Sequence, residues 1–350
     1  MFAAVTKPVA APMADVLDSE AALSWKQIIG PVRPFLEAVG RRLAEQVEAF
    51  DPAITPYADY ALNGQGKHLR PALVALTANA LGGANDQHVT VAVIIEMVHL
   101  ATLVHDDIVD EAEIRRNRLT VAANWGNEIA VLFGDCLFAQ ALKLAASFPT
   151  PEVCRAVAAA TNTVCAGEIL QTQHRRDFHL TRDLYFKVLE MKTAELFALS
   201  CELSACLCRT APDRCRTFRQ FGLAFGTAYQ VYDDCLDLFG SEAVAGKSLG
   251  TDIANGKLTL PVLLLRERAD AADRARLEKH LRAWQDGSRS QMTELLAKHG
   301  TLPASLQIVH QYLEKARQVL LALPASRERA ALIGLTDHLA RRTDALGEGG

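Results

Sequence analysis

Apolar residues recur at three- and four-residue intervals along nearly the whole chain, the spacing of one face of an α-helix. The pattern predicts helices over 21–49, 69–82, 87–110, 127–147, 152–173, 181–208, 212–239, 253–267, 271–284, 288–299, 303–323 and 325–345. No segment alternates polar and apolar residues for long enough to predict a strand. Breakers mark the junctions: DPAIT at 51–55, LGGAND at 81–86, FPTP at 148–151 and GSEAVAGKSLG at 240–250. The expectation is an all-α protein, one large helical bundle over 21–346. Residues 1–20, with one lysine, two prolines and no continuous apolar core, are expected to be a flexible leader rather than a signal peptide.

Composition sharpens this picture in three ways. Half of the 350 residues are hydrophobic but only 6% are aromatic, which suits packed helices rather than sheets. A formal charge of −4 argues against a general nucleic-acid partner. The eight cysteines form no C-x-x-C, so they read as small buried hydrophobes in a reducing, cytoplasmic compartment. The stretch 89–104 is interrupted by Glu96 and His99 and is too short to span a bilayer, so a soluble protein is expected.

Two apolar helices end in the same acidic pattern: Asp106, Asp107 and Asp110 after the first, Asp233, Asp234 and Asp237 after the second, 127 residues on. Residues three and four apart share a helix face, so each triplet gathers its carboxylates on one rim. Carboxylates are disfavoured at a helix C-terminus, where the macrodipole is negative, and they repel one another unless a cation intervenes. Oxygen donors without cysteine or clustered histidine suit Mg²⁺. One such triplet reads as a solvated helix end. Two, each closing an apolar wall, point to a shared site for Mg²⁺ and a polyanion such as a diphosphate.

Basic residues stand where the counter-charge is needed. Arg115 and Arg116 follow the first triplet, Lys247 and Lys257 follow the second, and Lys67 and Arg70 lie in G-Q-G-K-H-L-R-P at a loop-to-helix junction. The P-loop spacing fails there, because His68 follows Lys67. Each alone reads as surface solubility; their clustering beside the aspartates is the signal. Lys192, beside Thr193 in an apolar helix, either snorkels to solvent or points at an anion. Gln230 lies one turn before Asp233 and can orient a carboxylate or contact phosphate, while Glu168 and Gln171 share a face as supporting groups. His99 reads as a satisfied core residue or as a group at a cavity mouth.

With these motifs in hand, the chain resembles the trans-isoprenyl diphosphate synthases, or polyprenyl synthetases, over roughly residues 30–340. The match rests on GKHLRP at 66–71, EMVHLATLVHDDIVDE at 96–111, RR at 115–116, GD at 134–135, KT at 192–193, YQVYDDCLD at 229–237 and GKSLGTDIANGKLTLP at 246–261. The resemblance implies an all-helical, dimeric enzyme around a deep central cavity, using Mg²⁺ to join isopentenyl diphosphate to an allylic prenyl diphosphate. It implies that Asp106, Asp107, Asp110, Lys192, Asp233 and Asp234 are catalytic, and that the six aspartates form the metal set, with Asp237 supporting the second wall. Lys67, Arg70, His99 and Arg116 would bind isopentenyl diphosphate; Arg115, Lys192, Thr193, Gln230, Lys247 and Lys257 would contact the allylic diphosphate. Gln65, Asn117 and Leu119 depart from the family pattern in the loops beside these cations.

Chain length should depend on what closes the cavity below the first triplet. Ala101 and Thr102, five and four residues before Asp106, are small and leave the path open, as in the long-chain members. Hexaprenyl to decaprenyl products, centred on octaprenyl, are therefore expected, with a transient membrane contact for release. The alternatives are a short-chain synthase, a terpene cyclase or a non-catalytic synthase subunit. Cyclases typically carry one DDxxD and non-catalytic subunits lose part of one, whereas both are complete here.

Overall fold

The computed structural model describes residues 23–62, 66, 68–116, 118–241, 249–282, 284 and 288–348. Lys67, Lys247, Gln65, Asn117 and the expected leader lie outside the described residues.

Helices dominate, as the periodicity requires. The first half comprises α1 (Trp25–Ile29), α2 (Arg33–Glu48), α3 (Thr55–Leu62), α4 (Leu69–Ala80) and α5 (Asp86–Val109). After a two-residue antiparallel pair, β1 (Ile114–Arg115) and β2 (Arg118–Leu119), come α6 (Val121–Trp125), α7 (Asn127–Ala146) and α8 (Glu152–Gln173). The chain continues through α9 (Arg182–Leu189), a π-helical turn at Glu190–Ala194, α10 (Glu195–Leu207) and α11 (Pro212–Phe239). Shorter helices at Thr251–Ala254, Leu260–Arg268, Ala271–Arg282 and Ser288–Lys298 lead to the long pair Thr301–Leu321 and Arg327–Glu348.

Side-chain caps set several starts. Ser24 and Gln27 form a capping box, Asn85 accepts from Gln87 and His88, and the Thr120 and Thr181 hydroxyls accept from Ala123 and Leu184.

The structure departs from the expected elements where local chemistry outweighs the pattern. Gly30-Pro31 converts one predicted helix into α1, a 3₁₀ turn and α2. The stretch DPAIT does not hold the chain open. Its Asp51 accepts from Ala53 N–H, and α3 begins four residues later. The tight β1–β2 hairpin arises in a segment without alternation. The predicted helix 253–267 is divided at Gly256, whose φ of 75° is left-handed.

Two apolar cores share α4 and α10. Leu73, Leu76, Phe197 and Cys201 face a core with α11 and the C-terminal helices, while Val74, Leu196, Leu199 and Leu203 face one with α2, α5, α7 and α8. A helix apolar on every side fits this central position. Contrary to the expectation for 89–104, that stretch belongs to a 24-residue helix long and apolar enough to cross a membrane. So do α7 and α8. In α5 the apolar window is 61% buried in the bundle, against 33% in α7 and 28% in α8. Leu132, exposed at 62%, and Ile169, at 59%, mark that open apolar face.

Candidate active site

The first acidic triplet closes α5. Asp106 and Asp107 lie in its last turn, and Asp110 caps it, with the chain then turning through Glu111 at a left-handed φ of 53°. Each carboxylate meets a cation from another element. Lys192 Nζ lies 3.6 Å from Asp106, and Arg115 Nε donates to Asp107 at 2.7 Å. Asp110 accepts from Lys257 Nζ at 2.6 Å and from Arg175 Nη2 at 2.5 Å. Arg175 also reaches the Val109 carbonyl, and Asn255 reaches the Asp110 carbonyl.

Burial pushes Asp106 up to about 6, against the pull of Lys192. It also raises Asp107, although Arg115 opposes it. At Asp110 burial is outweighed by Lys257, Lys192 and Arg175, and its carboxyl falls below the ordinary range.

Lys192 sits in the π turn between α9 and α10. Extra residues in such a turn re-aim side chains, and here they point Lys192 and Thr193 inward. The turn is gripped closely: a Cβ on Gly167 of α8 would fall 2.8 Å from Lys192 N, and one on Gly226 of α11 2.8 Å from Ala194 Cα. Lys192 forms an ion pair with Glu168 and donates to Gln171 Oε1 at 2.9 Å. Burial disfavours its charge, but Asp106 and Glu168 more than compensate and its pKa is raised.

The second triplet lies on the last turns of α11. Asp234 is buried and accepts from Tyr185 Oη at 2.6 Å and Gln230 Nε2 at 2.8 Å. Thr193 Oγ1 donates to Gln230 Oε1 at 3.0 Å, linking the π turn to α11. Burial, reinforced by the nearby Asp252, pushes Asp234 up to about 8. Asp233 is half-buried. Asp237 is fully buried and accepts from Thr251 Oγ1 and Asp252 N–H, both at 3.2 Å, which fixes the start of the next helix.

One cavity joins the two walls. It is lined by Lys192, Thr193, Gln230, Asp234, Asp252 and Lys257, with Tyr185, Val188 and Leu189 as apolar backing. Lys192 and Lys257, which line it beside Asp234, are the side chains that contact Asp106 and Asp110. Asp234 thus lines this space directly, and Asp106 and Asp110 are tied to it through Lys192 and Lys257.

A basic cluster adjoins it. His99 is pushed well below its usual value by burial, with Arg70, Arg116 and Arg115 adding to the effect, so its ring is neutral. Arg70 is buried with its guanidinium 4.5 Å over the Phe197 ring, and Arg116 packs against Gly66. A second cavity of about 310 Å³ beneath Asp107 combines Arg115 and Arg116 with Leu100, Leu103 and Val104. Ala101 is fully buried in α5, and Thr102 is half-buried with its hydroxyl on the His99 carbonyl.

Sequence reasoning did not find Tyr185, Arg175, Asn255 or Asp252. The first lies in an ordinary amphipathic helix, and Arg175 sits in a polar turn after α8, so neither carries a local signal. Among the described residues, no three His, Cys, Asp or Glu side chains converge closely enough to hold an ion alone. The carboxylate oxygens of both walls are the donor chemistry that Mg²⁺ takes, together with waters and substrate phosphates.

Residues 51–299 match the family model for polyprenyl synthetase. The octaprenyl diphosphate synthase of Haemophilus influenzae is 32% identical over 86% of this chain and 92% of its own length. The all-trans-nonaprenyl-diphosphate synthase (geranyl-diphosphate specific) of Rhodobacter capsulatus is 32% identical over 90% and 97%. Among solved structures, a polyprenyl synthase from Caulobacter crescentus, complexed with calcium and isoprenyl diphosphate, superposes with a TM-score of 0.87 at 32% identity, covering 93% of this chain and all of that one. With both acidic walls and their cations around one cavity, the chain belongs to the polyprenyl synthetase family.

Proposed function

We propose that the protein is a prenyltransferase that joins isopentenyl diphosphate head-to-tail to an allylic diphosphate, repeating the step to make a long all-trans polyprenyl diphosphate. The observation that carries this reading is the shared cavity: Lys192 and Lys257 line it with Asp234 while contacting Asp106 and Asp110.

Asp106, Asp107 and Asp110 on one side and Asp233 and Asp234 on the other would hold Mg²⁺, with Asp237 fixing the second wall from behind. Mg²⁺ held by these carboxylates would supply charge neutralisation of the allylic diphosphate as it departs. Lys192, Thr193, Gln230 and Lys257 would meet the same diphosphate, with Lys247 and with Arg115 released from Asp107. The positive charge of the lysines and of Arg115 stabilises the leaving group as its bond to the allylic carbon breaks, while Thr193 and Gln230 donate neutral hydrogen bonds. Arg70, His99, Arg116 and Lys67 hold isopentenyl diphosphate so that its double bond faces the forming cation. His99, being neutral, can donate one hydrogen bond without adding repulsion to the arginines. The new carbon–carbon bond forms, and a proton leaves to the released diphosphate. Apolar walls keep water from the cation.

Small residues at 101 and 102 favour a long product, and the octaprenyl and nonaprenyl synthases at 32% identity support that reading. We also read the enzyme as a cytoplasmic homodimer formed through the open faces of α7 and α8, whose product passes to a membrane. The test is incubation of purified protein with Mg²⁺, labelled isopentenyl diphosphate and a geranyl or farnesyl primer, followed by chromatographic sizing. Hexaprenyl to decaprenyl chains are expected. Chains stopping at farnesyl or geranylgeranyl would overturn the long-chain reading, and absence of any elongation would overturn the transferase reading.

A further inference from the structure

The two acidic walls are held by different chemistry. Every carboxylate of the first has a cationic partner: Lys192, Arg115, or Lys257 with Arg175. Asp234 on the second is held instead by neutral donors, Tyr185 Oη on Oδ2 and Gln230 Nε2 on Oδ1. Neutral donors thus fix its orientation and leave pairing with a cation to whatever enters the cavity.

Tyr185 is placed for that task. It is 5% exposed on α9, and its ring packs edge-on against Phe186 with centroids 5.1 Å apart. A phenol has one proton to donate, and the 2.6 Å contact directs it to Asp234. Gln230 is in turn fixed by Thr193 on the π turn. The carboxylate is therefore gripped at both oxygens by two elements, α9 and α11. Each oxygen retains a lone-pair direction for a cation.

We propose that Tyr185 is a positioning residue for metal-assisted capture of the allylic diphosphate, acting through Asp234. Holding the carboxylate in place before the metal arrives removes the need to order it during binding, the general advantage of preorganisation. The proposal rests on the reading that Asp234 joins a divalent cation to the diphosphate.

The experiment compares wild type, Tyr185→Phe, Asp234→Asn and the double variant. It uses steady-state kinetics where activity allows, and calorimetric titration of Mg²⁺ in the presence of an unreactive thiolo analogue of the primer diphosphate. Phenylalanine keeps the ring packing and removes only the hydroxyl. In Tyr185→Phe the half-saturating Mg²⁺ concentration and the KM for the allylic substrate should rise on the order of tenfold, the effect of one hydrogen bond to a charged group. The KM for isopentenyl diphosphate should stay unchanged. In the Asp234→Asn background, removing the hydroxyl should add nothing to the calorimetric constant. Unchanged Mg²⁺ dependence in Tyr185→Phe, or equal rises in both KM values from general loosening, would overturn the positioning role. If Asp234→Asn itself leaves Mg²⁺ binding where it was, the metal reading of the second wall fails and the proposal falls with it.

Discussion

At the scale of single residues, the site is a set of charges that balance only partly without ligands. Asp106 at about 6 and Asp234 at about 8 both titrate above an unfolded carboxyl, about 3.9. A raised acid stabilises the fold while protonated. That contribution is full below the unfolded value and is lost as pH rises through about 6 and about 8. Melting of the metal-free protein should therefore shift to lower temperature across this window. Added Mg²⁺ with a diphosphate should flatten or reverse the slope, because the ligands select the ionised forms. A metal-free melting temperature that climbs throughout the window would contradict the assigned burial. Lys192 offers a second check: Lys192→Ala should lower kcat/KM by about 100-fold or more, as loss of a preorganised charge does, while Lys192→Arg recovers little in so confined a place. The triplets and Lys192 were legible in the sequence because charge inside an apolar helix is anomalous. Tyr185 and Arg175 were not, because what marks them is a partner 49 or 65 residues away.

At the scale of elements, periodicity located the long helices within a few residues, since burial of one face is what creates the pattern. It could not show α3, whose eight residues follow a breaker, nor the hairpin, whose register is set by two residue pairs. The π turn was equally hidden: no motif marks it, and what distinguishes it is the close approach of Gly167 and Gly226 from neighbouring helices. That packing depends on glycines. A Cβ on Gly222 would fall 2.5 Å from the Phe197 carbonyl oxygen and 2.7 Å from Ala198 Cα, both rigid backbone atoms. Gly222→Ala should thus push α10 from α11 and cost about 1–3 kcal/mol, read from denaturant unfolding. Gly167→Ala strikes the backbone of Lys192 itself and should lose activity out of proportion to stability. Gly40→Ala, where a Cβ meets nothing within 4 Å on α2, is the control and should be neutral or stabilising by about 0.5–1 kcal/mol.

At the scale of the whole molecule, the site and the open face of α7 and α8 are parts of one arrangement. Ala101 is fully enclosed in α5, so Ala101→Phe would both crowd the core and, if the prenyl chain grows along this helix, shorten it. Product sizing alongside a melting curve separates the two, and full-length product from a folded variant would move the floor elsewhere. Three consecutive residues of α8 run from the open face to Lys192. Gly167 abuts the Lys192 backbone, Glu168 pairs with its ammonium, and Ile169 points outward at 59% exposure. A second copy packed on Ile169 and Leu132 would press α8 onto the π turn from behind. Leu132→Arg with Ile169→Glu should give monomers by sedimentation, retain helical circular dichroism, and lose turnover because Glu168 no longer holds Lys192 firmly. Monomeric wild type at micromolar concentration would end the dimer reading. Monomers of the double variant with full turnover would leave the dimer intact but cut its link to the chemistry.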